Sequence, residues 1–163
     1  MNYQHISMDD MNNGDGLRTV LWVSGCSHHC KGCQNEHTWD KNGGVLFDER
    51  AKEELFENLS KPWIKGVTLS GGDPLCECNR AEIEKLVKEI RDRFPQKDIW
   101  CYTGYTFGEI KHLPFIKMID VLVDGEYVEK LRDINLKWRG SSNQNVIDVK
   151  KTYAAGMIVL YCD

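Results

Sequence analysis

The chain has 163 residues, 41% hydrophobic and 28% charged, with a formal net charge of −4 at pH 7. That balance is of an ordinary globular domain, its field does not favour nucleic acid or an anionic membrane, and no apolar run approaches the ~20 residues that span a bilayer. Met1 to Asp15 carries Asp9, Asp10 and Asp15 and no apolar core, so it is not read as a secretory leader; the expectation is one domain over residues 1–163, working in the cytoplasm.

Arg18 to Val23 is a β-branched and aromatic run that reads as a buried strand feeding a cysteine loop. Asp48 can cap a helix to about Leu59, with Ala51, Leu55 and Leu59 on one face. Gly66 to Ser70 is a second strand, running into Gly71-Gly72-Asp73-Pro74. Asn79 then starts a helix with Ile83, Leu86, Val87, Ile90 and Phe94 at helical spacing, Glu82 at the capping-box position and Pro95 as the stop. Asp98 to Tyr102 is a third strand, followed by a short helical piece near Phe107 to Leu113, and Met118 to Val123 a fourth. Short strands are expected at Asn145 to Val149 and Met157 to Tyr161. Strands alternating with helices imply a parallel sheet, and a complete eight-unit barrel takes ~250 residues. The fold class is therefore α/β, a partial open barrel of about four to six βα units. The cysteine loop, the Gly-Gly-Asp-Pro turn, Thr103-Gly104-Tyr105 and Asp124-Gly125 all follow strands, which places them on one ligand-binding rim.

Seven cysteines in a reducing compartment call for something other than disulfides. Cys26, Cys30 and Cys33 are spaced Cys-x3-Cys-x2-Cys. A 4Fe–4S cluster is normally held by four thiolates, so three would leave one iron open, and an open metal position is where a reactant binds. The rival is zinc, with His28, His29 or His37 as the fourth ligand of a closed structural site; spacing alone leaves the two readings close. Cys76 and Cys78 read as thiols at a helix start, Cys101 and Cys162 as small buried hydrophobes. His5 and His112 are expected to face solvent.

Three segments decide the context: Leu21 to Trp39, Ser70 to Leu75, and Asp124 to Asp148. Together they resemble the activating components of anaerobic (class III) ribonucleotide reductases, small members of the radical S-adenosylmethionine superfamily. Arg132-Asp133-x-Asn135-Leu136-x-Trp138-Arg139-Gly140-Ser141-Ser142-Asn143-Gln144 is the most family-specific part. The resemblance implies that Cys26, Cys30 and Cys33 bind one 4Fe–4S cluster. It implies further that reductive cleavage of S-adenosylmethionine yields methionine and a 5′-deoxyadenosyl radical, which takes hydrogen from a glycine of the large reductase subunit. A low-potential electron donor such as flavodoxin would supply the electron. Gly32, Cys33 and Gln34 would contact the nucleoside, and Gly71, Gly72 and Asp73 the methionyl ammonium, with the Asp73 carboxylate supplying charge. In much of the superfamily an aromatic residue precedes the third cysteine; here Gly32 stands there, so stacking on the adenine must come from elsewhere. Asp10 to Arg18 resembles the glycine-rich lead-in of glycyl-radical activases, with Asn13 and Asp15 in place of Asp and Pro. It reads equally as a plain loop or as a contact for the partner's radical loop. For Trp138 to Gln144 the choice is an edge hairpin or a docking surface for a peptide or nucleoside. The alternatives are activation of another glycyl-radical enzyme of the formate lyase type, or a non-catalytic zinc-stabilised binding module.

Overall fold

The computed structural model describes residues 1–162. Seven strands form one open mixed sheet: β1 (Asn2–Asp10), β2 (Arg18–Val23), β3 (Val45–Leu46), β4 (Gly66–Gly71), β5 (Asp98–Tyr102), β6 (Val121–Asp124) and β7 (Asn145–Asp148), in the order β3-β1-β2-β4-β5-β6-β7. β2, β4, β5 and β6 are parallel neighbours. β1 runs antiparallel to β2 and β3, and β7 antiparallel to β6. The helices are α1 (Glu49–Leu59), α2 (Glu77–Arg93), α3 (Phe107–Ile110) and α4 (Val149–Ala155).

Alternation along the parallel strands sorts their side chains onto two faces. Leu21, Val23, Val67, Leu69, Ile99, Cys101, Leu122 and Ile147 join Leu55 and Leu59 of α1 and Ile83, Leu86, Val87 and Ile90 of α2 in the main core. Each such buried aliphatic side chain contributes ~1.5–3 kcal/mol. β4 is buried at every position, as a parallel strand covered on both sides should be. The opposite face carries Trp100, Val121, Val123 and Val146, with Tyr102, Trp138 and Cys162 packed on them. Arg18 is fully buried on this side and paired: Nε donates to Thr68 Oγ1 (2.7 Å), Nη2 to Val67 O (2.9 Å), and Nη2 lies 2.5 Å from Asp98 Oδ1. Its guanidinium sits 5.1 Å from the Trp100 ring.

The expected strands β2, β4 and β5 and the helix α1, with Asp48 accepting from Ala51 N–H (3.0 Å), are where the sequence puts them. Several expectations need correction. A strand, β1, precedes the lead-in; two register shifts against β2 break its alternation and hide it in the sequence. α2 starts at Glu77 rather than Asn79, because the Asn79 side chain is buried and bonded to neighbouring loops. Glu82 makes no capping box and instead meets the N-terminal amine of Met1 at 2.6 Å. β6 begins at Val121, since Pro114–Met118 form a 3-10 turn. Met157 to Tyr161 forms no named strand, only a bridge from Leu160 to Ile147. Before it, α4 is capped by Asp148 and ended by Gly156 at φ +69°. No helix among the described residues is long and apolar enough to cross a membrane.

Candidate active site

The loops after β2, β4, β5 and β6 are tied to one another by backbone hydrogen bonds. Gly25 N–H donates to Thr38 O (2.7 Å) and Cys26 N–H to Trp39 O (3.1 Å), closing the cysteine loop. Gly72 N–H donates to Val23 O and Asp73 N–H to Gly25 O, each at 2.8 Å, which lays the Gly-Gly-Asp turn against that loop. A Cβ on Gly72 would stand 2.5 Å from Gly25 O, and Gly71 has φ +105°, so this approach requires glycine at both positions. Asn79 Nδ2 of α2 adds bonds to Ser24 O (2.9 Å) and Asp73 O (3.0 Å). Thr103 N–H donates to Val123 O (2.9 Å) and Gly125 N–H to Tyr105 O (3.0 Å), joining the other two loops.

The Asp73 carboxylate lies at the centre and is 1% exposed. Oδ1 accepts from Leu75 N–H (2.8 Å) and the Thr103 hydroxyl (2.9 Å), and Oδ2 from Gly104 N–H (3.0 Å). Oδ2 is also 3.0 Å from His28 Nε2, at ion-pair distance but without hydrogen-bond alignment. The other ring nitrogen of His28, Nδ1, is 2.8 Å from Glu126 Oε1, and the ring stands edge-on to Tyr105 at 4.5 Å. Asp73 foremost, with Glu126, holds the His28 pKa up at about 9 against the opposing effect of burial. One charged imidazole thus spans the loops after β2, β4 and β6. Asp73 lies on the rim after β4, and its carboxylate faces inward onto protein donors.

Cys26, Cys30 and Cys33 are free thiols, each partly buried. Burial, with the Asp73 charge, pushes the Cys26 thiol up to about 11 against backbone N–H groups of His28 and His29, and burial raises Cys30 against that of Tyr127. Cys33 Sγ accepts from Asn35 N–H at 3.3 Å. Three thiols supported by backbone donors are a donor set that fits an iron–sulfur cluster, whose potential such hydrogen bonds tune. Among the described residues no three His, Cys, Asp or Glu groups converge on one ion; a cubane instead places each thiolate on its own iron. Of the zinc-ligand candidates, His28 has both nitrogens against carboxylates, and His29 packs on Trp39 at 4.7 Å.

Gly32 and Gln34 are exposed on the cysteine loop. Gln34 borders a cavity of about 380 Å³ with Tyr102, Trp138 and Arg139, whereas Cys26 borders one of about 850 Å³ with Tyr105, Cys76 and Cys78. Cys76 and Cys78 are the helix-start thiols expected, their sulfurs 3.1 Å apart, and Cys101 is fully buried. The sequence reading missed the joint between His28, Asp73, Thr103 and Glu126. Its signal was only that polar residues recur just after each parallel strand.

Residues 12–147 match the family model described as a 4Fe-4S single cluster domain. The chain is 49% identical over 146 residues to the anaerobic ribonucleoside-triphosphate reductase-activating protein of Enterobacteria phage T4, covering 90% of this chain and 93% of that one. The chain belongs to this family of activating proteins. The Escherichia coli K12 member is 45% identical over 150 residues, 90% of this chain and 97% of its own, and the Haemophilus influenzae member 42% over 148 residues, 88% and 96%. The family model spans all four rim loops, while all of β1 and all of α4 lie outside it.

Proposed function

We propose that the chain is a radical S-adenosylmethionine enzyme that installs a glycyl radical on the large subunit of an anaerobic ribonucleotide reductase. The observation that carries this reading is a Cys-x3-Cys-x2-Cys loop, free of disulfides, fastened to a Gly-Gly-Asp turn at the rim of a parallel sheet. The family to which the chain belongs supports it. The open sheet is then a partial barrel of the radical S-adenosylmethionine type, one domain over residues 1–163, acting in the cytoplasm.

Cys26, Cys30 and Cys33 would hold the 4Fe–4S cluster, with Gly32, Cys33 and Gln34 toward the nucleoside and Gly71, Gly72 and Asp73 toward the methionyl group. When bound, the cluster supplies the electron for reductive cleavage of S-adenosylmethionine into methionine and the 5′-deoxyadenosyl radical that takes the glycine hydrogen, and a low-potential donor such as flavodoxin re-reduces it. The protein's part is position and exclusion. Gly71 and Gly72 present close backbone, and Asp73 fixes the turn. The imidazole bridging Asp73 and Glu126 keeps the cysteine loop closed against the rim.

The test is anaerobic. Reconstituted protein, reductant, S-adenosylmethionine and the reductase subunit should release methionine and 5′-deoxyadenosine and give a doublet glycyl signal by electron paramagnetic resonance. Deuterium on the target glycine should appear in the 5′-deoxyadenosine. Cleavage with neither radical nor deuterium transfer would sink the activase reading, and zinc without sulfide in the purified protein would support the binding module.

A further inference from the structure

Two thiols that the proposed chemistry does not use stand where the cysteine loop meets α2. Cys76 caps the helix start and Cys78 lies in its first turn, with their sulfurs 3.1 Å apart. Cys76 is 8% exposed, while Cys78 is open to solvent. Both border the cavity of about 850 Å³ that Cys26 also lines, so a small molecule can reach the pair. Among the described residues their only side-chain hydrogen bond is to each other. Residues two apart stay within ~7 Å even in an extended chain. The bend into a helix shortens that to a span a disulfide bridges.

The two thiols are held differently. Cys76 is fixed through its backbone: its N–H donates to Asp73 O (3.1 Å), and its C=O accepts from Asn79 N–H (2.8 Å) and Arg80 N–H (2.9 Å). The Cys78 sulfur lies against the cysteine loop, where a Cβ on Gly25 would stand 2.7 Å from it. The next residue, Asn79, carries the side chain that ties Ser24 O to Asp73 O. A disulfide bond is ~2.05 Å long, so joining the sulfurs draws them together by about 1 Å. With Cys76 anchored, the sulfur that travels is that of Cys78. Gly25, beside Cys26, then loses the contact behind it.

We propose that Cys76 and Cys78 form a reversible disulfide that loosens the cysteine loop when the surroundings turn oxidising. The oxidant is a small disulfide such as oxidised glutathione. One protein thiolate attacks it, releasing one glutathione thiolate and leaving a mixed disulfide; the second protein thiolate then displaces the other glutathione. Two protein thiols are oxidised, one glutathione disulfide is reduced to two thiols, and the protons pass from the former to the latter. The pairing itself needs no cluster, whereas its bearing on the reaction rests on the activase reading.

The test equilibrates the reconstituted protein, without oxygen, against graded ratios of oxidised to reduced glutathione. Acid quenching, alkylation and mass spectrometry then locate the disulfides. Burial, and then the Cys76 sulfur, push the Cys78 thiol up to about 12, so exchange is slow and each mixture is read once its composition is constant. Wild type should lose two alkylatable thiols together, in one peptide that holds Cys76 and Cys78. Both thiols still alkylatable at the most oxidising ratio, or a disulfide that recruits Cys26, Cys30 or Cys33 instead, overturns the proposal. Hydrogen exchange reads the loop through the Gly25 and Cys26 amides, which bond to Thr38 O and Trp39 O. These should exchange roughly three- to fivefold faster in the oxidised wild type, matching the ~0.8 kcal/mol of one methylene-sized contact. A Cys76→Ser/Cys78→Ser double variant should show no such dependence on glutathione. A complete disulfide with unchanged exchange overturns the switch, and wild type decides alone if the double variant does not fold. Iron and sulfide content of the wild type tests the cluster reading separately: protein lacking both defeats that reading and leaves the disulfide standing.

Discussion

Replacing Asp73 by Ala separates a ligand contact from a structural joint. If the carboxylate served only a bound ammonium, its loss would weaken S-adenosylmethionine binding and leave the apoprotein untouched. Its surroundings predict otherwise. The substitution strands the Leu75 and Gly104 N–H groups and the Thr103 hydroxyl, and removes the main carboxylate beside a charged His28. Each stranded buried donor costs ~1–3 kcal/mol, and deleting one partner of a buried charged pair ~3–5 kcal/mol. These losses share one cavity and do not add, so about 3–5 kcal/mol is expected for the whole. For a domain of this size ~1 kcal/mol shifts Tm by roughly 2–4 °C, which gives a fall of roughly 6–20 °C. Asp73→Asn should fall less: its oxygen still serves Leu75 and Thr103, while its NH₂ opposes Gly104 N–H and His28. The assay is thermal unfolding of the apoprotein, followed by iron and sulfide content after anaerobic reconstitution. Asp73→Ala should melt low and bind less iron, because the Gly-Gly-Asp turn no longer braces Gly25. An Asp73→Ala protein melting within ~2 °C of wild type with full iron would refute the reasoning and return the carboxylate to a purely ligand-facing role.

Two further expectations concern the cluster ligands and the acid limit of the fold. Ala at Cys26, Cys30 or Cys33 should abolish a stable 4Fe–4S cluster, whereas Ala at the buried Cys101 or at Cys162 should leave iron and sulfide unchanged; the reverse pattern would reassign the ligands. Asp120 accepts from Ile99 N–H (2.8 Å), is ion-paired with Arg91 and lies 2.6 Å from Lys150 Nζ. Burial raises its pKa, but these partners outweigh burial and hold it below the ordinary value of 3.8. A depressed carboxylate contributes stability that is present above the unfolded-state pKa and lost as pH falls through the folded one. Asp120→Asn should therefore lower Tm at pH 7 and flatten its decline below about pH 4, and parallel acid curves for variant and wild type would contradict this.

What the sequence made legible follows from which forces act locally. β2, β4 and β5 were readable because a strand buried on both faces is written as an unbroken β-branched and aromatic run. The buried face of α2 was readable because Ile83, Leu86, Val87 and Ile90 repeat at helical spacing, whatever happens at the helix end. The end itself was misread because Asn79, a good capping residue by type, is recruited by Ser24 O and Asp73 O, partners far away in sequence or across the turn. β1 was hidden by bulges, and α4 escaped because the region after β6 was read for strands, although Asp148 and Gly156 bound it in the ordinary way.

The site divides along the same line. The cysteine spacing is a local property and could be read directly, as could the glycines that let two backbones meet. The inward turn of Asp73 could not, because whether a carboxylate faces ligand or protein depends on Thr103, Gly104 and His28, which reach it from two other loops. Arg139 shows the converse. Its sequence neighbourhood is polar and turn-like and reads as any edge hairpin. Only the packed wall behind it, with Trp138 strained and Gln144 committed to the backbone, leaves one buried nitrogen without a partner. A donor set in the sequence thus names the chemistry the loop can support, while the partners that each side chain finally takes come from other loops and are visible only in three dimensions.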